Sequence, residues 1–165
     1  MILLGRIEPA EHGLWYASCS SIGAYTQGRS RKDARAMLAD CVEVLIDRPG
    51  FKVIATELRG ERAANGKIGY AIGIDANDRP LLLAELLKHQ RRVHKLTIAD
   101  VAKRLGSKHV NAYAAYERGT REPSVTKYLE LLAAVAPEMT LFVGRKPINT
   151  SPKARKRRRS SGGAG

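Results

Sequence analysis

Apolar and polar positions change period midway along this chain, and the change divides it. Ile2 to Ile7 is apolar enough for a strand, and Glu8 to Gly13 holds the turn residues that end it. Leu14 to Ser18 reads as a second strand, Ser20 to Ala24 as a loop, and Tyr25 to Gln27 as a third extended piece closed by Gly28. From Ser30 the period lengthens. Ala34, Met37, Leu38, Cys41, Val42, Leu45 and Ile46 fall three or four apart, which predicts a helix laid on a sheet by one face. Ser30 with Asp33 is a variant capping box at its start, and Pro49-Gly50 ends it. Two further strands, Phe51 to Glu57 and Lys67 to Ile74, flank a polar turn at Arg59 to Gly66. Strands, one helix, then strands predict a compact α+β unit.

Beyond residue 78 only the helical period remains. Arg79 to Val93 carries Leu82, Leu83, Leu86 and Leu87 on one face. Thr97 with Asp100 caps the next helix, in which Ile98, Val101, Ala102 and Leu105 repeat, and Gly106 turns the chain without a Cβ penalty. A helix from about His109 to Arg118 follows, with Tyr113 and Tyr116 spaced to face inward. Pro123-Ser124 then opens a last helix bearing Val125, Tyr128, Leu129, Leu132 and Val135. The pair on either side of Gly106 reads as a helix-turn-helix, the alternative being two plain amphipathic helices of a bundle. Ser107, Lys108, His109, Asn111, Ala112 and Ala115 are left pointing outward, and these types reach phosphates and base edges.

Charge sharpens the division. The chain carries +13 overall. Acidic and basic residues balance over 1–78, whereas 79–143 is basic and 144–165 holds no acidic residue at all. We therefore expect three parts: an α+β domain at 1–78, a helical domain at 79–143 that meets a polyanion, and a disordered basic tail at 144–165, whose cluster at Lys153 to Arg159 would embrace phosphates in a salt-sensitive way. With no apolar run of spanning length and no basic lead-in to the short apolar start, the expected setting is cytoplasmic, without a membrane. Cys19 and Cys41 suit reduced packing residues rather than a disulfide framework or zinc site.

Two resemblances rest on particular residues. Ala102 to Ser124, with Ala-x-x-x-Gly and Tyr-Glu-Arg-Gly followed by Glu-Pro-Ser, resembles the XRE-like, phage-repressor type of helix-turn-helix, one residue longer than usual between Gly106 and Glu117. Over the first half, Glu8-Pro9, Gly13 to Tyr16, Thr26-Gln27-Gly28 and Ser30 to Ala34 resemble the N-terminal domain of HicB-type antitoxins, and Asn111 to Ala114 with Tyr116 to Gly119 resemble the helix-turn-helix of one branch of that family. In place of a Leu-Pro-Gly-Cys loop this chain has Ile22-Gly23-Ala24-Tyr25. The resemblance implies a truncated ribonuclease-H-like α+β fold, inhibition of a HicA-like ribonuclease toxin, repression of its own operon through operator DNA, and a homodimer or higher homo-oligomer. The competing reading is a stand-alone XRE-like repressor with an N-terminal sensor or dimerisation domain.

Catalysis finds no home in the pattern. Metal-dependent nuclease chemistry needs several gathered carboxylates, but Glu8 alone ends the first strand, Asp33 is a cap, and Asp40, Glu43 and Asp47 read as a solvated helix face. The four histidines share no ligand spacing, and GKIGYAIG lacks a phosphate-loop pattern. We expect a binding protein, not an enzyme, without cofactor or metal. The candidate DNA contacts are Asn111 on adenine, Lys108 or His109 on guanine or phosphate, and Ala112 and Ala115 on thymine methyls. Thr97 and Ser107 would seat phosphates at helix starts, and Arg118 and Arg121 would clamp the backbone. The toxin-binding surface is not assigned.

Overall fold

The computed structural model describes residues 2–62, 68–107 and 109–139, the side chains of residues 59, 61 and 62 aside. Lys108, residues 63–67 and the basic tail lie outside the described residues, and residues 59–62, expected in the polar turn, instead continue the strand that begins at Val53.

The first half is an antiparallel five-stranded sheet crossed by one helix. The strands are β1 (Leu3–Pro9), β2 (Trp15–Cys19), β3 (Ala24–Gly28), β4 (Val53–Arg62) and β5 (Ile68–Ala76), and the helix α1 (Arg31–Ile46) runs between β3 and β4. Spatial order is β3-β2-β1-β5-β4. The last strand thus enters the middle, with Leu3 opposite Ile74 and Ile7 opposite Tyr70, and every ladder is antiparallel. Alternation decides the faces: Leu3, Ile7, Ala17, Cys19, Ile72 and Ile74 turn toward α1 and are buried. The opposite face leaves Leu4, Tyr16, Tyr25 and Ile54 to solvent, the two tyrosines stacked with ring centroids 6.4 Å apart.

On α1, Ala34, Leu38 and Val42 are buried. Met37 and Leu45, expected on the same face, are 42% and 39% exposed. A helix lying on a sheet by a single i, i+4 row buries that row and leaves its flanks in water. Ser30 accepts from Asp33 N–H, as a cap should, whereas the Asp33 carboxylate reaches one residue further back, to Arg29 N–H. Gly28 has a tight packing reason: a Cβ there would lie 2.3 Å from Ala34 N. Glu43 is not the solvated residue its pattern suggests. It accepts from Lys52 Nζ at 2.6 Å and from Val53 N–H at 2.9 Å, tying α1 to the start of β4.

The second half comprises α2 (Arg79–Val93), α3 (Ile98–Arg104), α4 (Val110–Glu117) and α5 (Val125–Val135). The α2 bounds coincide with those read from its leucine pattern, and Asp78 caps it by accepting from Leu81 N–H. In α5, Tyr128, Leu131, Leu132 and Val135 are buried, but Val125 and Leu129 of the expected stripe are 70% and 44% exposed. The buried face keeps Tyr128, Leu132 and Val135 of that stripe and is turned to take in Leu131 and Ala134. Helix α2 serves both halves. Its Leu82, Leu86 and Leu87 join one continuous apolar cluster with Ile22 and Ile74 of the first half and Val101, Tyr113 and Leu131 of the second. Gln90 Nε2 donates to Ser21 O at 2.7 Å across that junction.

Candidate nucleic-acid interface

Helix α3 begins with a complete capping box. Thr97 Oγ1 accepts from Asp100 N–H while the Asp100 carboxylate accepts from Thr97 N–H, and the Thr97 hydroxyl donates to the same carboxylate at 2.6 Å. Those hydrogen bonds hold the Asp100 carboxyl below the usual range. A carboxylate therefore occupies the start of α3, where an incoming phosphate would have sought the same donors.

After Arg104 the chain turns through Gly106 at φ +66°, and Ser107 N–H returns to Ala102 O at 2.9 Å. This closure leaves Ala102 buried beneath the turn, as expected from its spacing to Gly106. Ser107 Oγ then accepts from His109 N–H and donates to His109 O, so it shapes the entry to α4.

On α4 the two faces separate cleanly. Tyr113, Ala114 and Tyr116 are buried. Asn111 is exposed, and Ala112 and Ala115 are half-exposed beside it. These three, with exposed His109 at the helix start and Arg118 at its end, make one outward strip of small and polar side chains. Arg121, just beyond Gly119, lays its guanidinium 5.2 Å from the Tyr116 ring centroid. Of the expected contacts, Asn111, Ala112, Ala115, His109 and Arg118 share this surface. Thr97 is engaged in the cap of α3, Ser107 is bonded to the His109 backbone, and Lys108 lies outside the described residues.

What fixes the angle of α4 is a polar group that sequence reasoning passed over. Glu117 receives both arms of the Arg91 guanidinium, at 2.6 and 2.9 Å, and the Tyr113 hydroxyl at 2.6 Å. Arg91 Nη1 also donates to Leu96 O. The fork joins α2, the α2–α3 connection and α4 in one hydrogen-bonded network. Burial pushes the Tyr113 phenol far above its ordinary value, and its hydrogen bond to Glu117 adds to that. Arg104 plays a lesser part, closing α5 by donating to Ala134 O at 2.9 Å.

Two helices set by such a turn, the second presenting a polar strip over a buried aromatic floor, define a helix-turn-helix, the fold that offers one helix to duplex DNA. A family model described as Helix-turn-helix matches residues 87–135, from within α2 to the end of α5. This part of the chain is accordingly a helix-turn-helix domain of the kind that binds DNA and regulates transcription. No curated protein and no solved structure matches the chain. Among the described residues, no helix is long and apolar enough to cross a membrane.

Proposed function

We propose that this chain is a transcriptional repressor of the XRE-like type that acts as the antitoxin of a toxin–antitoxin pair. In this reading α4 enters the major groove of an operator, Asn111 reads adenine, Ala112 and Ala115 meet thymine methyls, and His109, Lys108, Arg118 and Arg121 meet guanine or phosphate. The observation that carries the DNA half is the outward strip of exposed Asn111 and half-exposed Ala112 and Ala115 above buried Tyr113 and Tyr116. Since one such module binds weakly, the working unit is a homodimer or higher oligomer on a palindrome, and exposed Val125 and Leu129 on α5 offer apolar surface for pairing.

For the sheet half, support comes from the HicB-like motifs, which fall at joints of the fold. Glu8-Pro9 ends β1, and Thr26-Gln27-Gly28 leads β3 into the Ser30 cap. The sheet face exposing Leu4, Tyr16, Tyr25 and Ile54 is the surface we assign to a HicA-like ribonuclease toxin. The truncated ribonuclease-H-like description belongs to the same reading, as does a binding role without catalysis. A mobility-shift titration on the DNA upstream of its own coding region tests the first half. Asn111→Ala should weaken binding by about 1–3 kcal/mol, confined to one base position. Co-expression with the adjacent open reading frame tests the second: a co-purified small ribonuclease lost on Tyr16→Glu supports it. A pure homodimer whatever the neighbour favours the sensor-domain repressor.

A further inference from the structure

A cavity of about 350 Å³ opens where the end of α1 meets α2, α3 and α4. Its apolar wall is made by Ile46, Leu81, Ala84 and Ile98. Around this wall stand five cations, Arg48, Lys88, Arg91, Arg92 and Arg118, against two carboxylates, Glu85 and Glu117. Both carboxylates are engaged: Glu85 with Lys88 at 2.9 Å, and Glu117 with the Arg91 fork. Arg48, Arg92 and Arg118 have no carboxylate partner among the described residues. They come from three separate elements, so neighbouring positions in one sequence run cannot account for their meeting. Three uncompensated guanidiniums at the rim of one apolar hollow repel each other and raise the local potential for an anion. The size is that of a small-molecule site; the hollow is open on one side and its lining is more polar than apolar, as a site for a charged ligand would be.

We propose that this cavity binds a small organic anion carrying two or more carboxylate or phosphate groups on a short frame, and that its occupancy weakens DNA binding. The coupling follows from Arg118, which borders the cavity and also ends the outward strip of α4. An anion that takes this guanidinium withdraws it from the DNA backbone. The coupling rests on the DNA-binding reading; the binding of the anion does not.

The test uses the full chain at fixed ionic strength, with citrate and inorganic pyrophosphate as probes and chloride as the matched control. Calorimetric titration should give saturable one-site binding by at least one probe, weakened at least about ten-fold in Arg48→Ser/Arg92→Ser and largely retained in Arg48→Lys/Arg92→Lys. Equal binding by the wild-type and serine variants would place the anion on other basic surface, and binding by neither probe would leave the cavity without its ligand class; either overturns the proposal. In the second arm, the bound probe should lower operator affinity about five-fold or more in a mobility shift. Saturation without change in that affinity refutes the coupling. If no DNA is bound under any condition, the DNA-binding reading fails and the coupling with it, while the calorimetric arm still decides the site.

Discussion

The Glu117 carboxylate accepts from both arms of the Arg91 guanidinium and from the Tyr113 hydroxyl, with only 7% of its side chain exposed. Removing one member of such a group leaves a charge in a place water reaches poorly. Glu117→Ala should therefore destabilise the chain by about 3–5 kcal/mol, read as a lowered urea midpoint, while Glu117→Gln, which keeps two hydrogen-bonding atoms, should cost less. A loss under about 1 kcal/mol for the alanine variant would show that the network is not a fastener. A second prediction concerns Tyr128, whose phenol burial pushes up to about 12 from 10.0. Below pH 10 both folded and unfolded chains keep that proton. Between the two values the unfolded chain releases it first, so stability falls as pH rises and levels off above the folded value. Thermal melts from pH 9 to 12 should show this decline, and Tyr128→Phe should flatten part of it. The burial of Tyr128 was legible in its helical spacing, but the Glu117 network was not. Arg91 and Glu117 stand 26 positions apart, and no periodicity links an arginine on one helix to a glutamate on another.

Elements were more legible than the contacts between them. The Thr97–Asp100 box, the Ser30 and Ser124 caps and the Gly106 turn are local chemistry, in which side chain and backbone partner lie within a few residues. Such signals survive in sequence because nothing distant has to cooperate. The same holds for inward Tyr113 and Tyr116, whose spacing alone places them opposite Asn111. Helical spacing is a weaker guide to which of two adjacent rows is buried. On α1 it admits Met37 and Leu45 beside Leu38 and Val42, and only the sheet beneath decides between them. The distinction is measurable. Leu38→Ala, at a position with no exposure, should cost about 2–5 kcal/mol. Met37→Ala, at a position 42% exposed, should stay within about 0.5 kcal/mol. Comparable losses in the two denaturation curves would mean that α1 is rotated from the arrangement described.

At the scale of the whole molecule the question is whether the sheet and the helices fold as one body. The sequence divides at residue 78 by period and charge, yet α2 lays Leu82, Leu86 and Leu87 into a cluster that continues to Ile22 on one side and Leu131 on the other. Contact between α2 and the turn after β2 is close enough that a Cβ at Gly23 would lie 2.4 Å from the His89 ring, and Gly23 itself sits at φ +71°. A continuous core makes unfolding cooperative. The single tryptophan, Trp15, reports on β2, and the far-ultraviolet circular dichroism signal comes mostly from α2 to α5 with a share from α1, so the two probes weight the two halves differently. Their urea transitions should coincide in the wild-type chain. Gly23→Ala imposes a side chain where both the backbone and His89 resist it, and it should loosen the junction while leaving each half its own buried residues. The tryptophan and helix transitions of that variant should then part. Separate transitions already present in the wild type would show that α2 belongs to the helices alone, and that the shared cluster does not bind the sheet and the helices into one cooperative body.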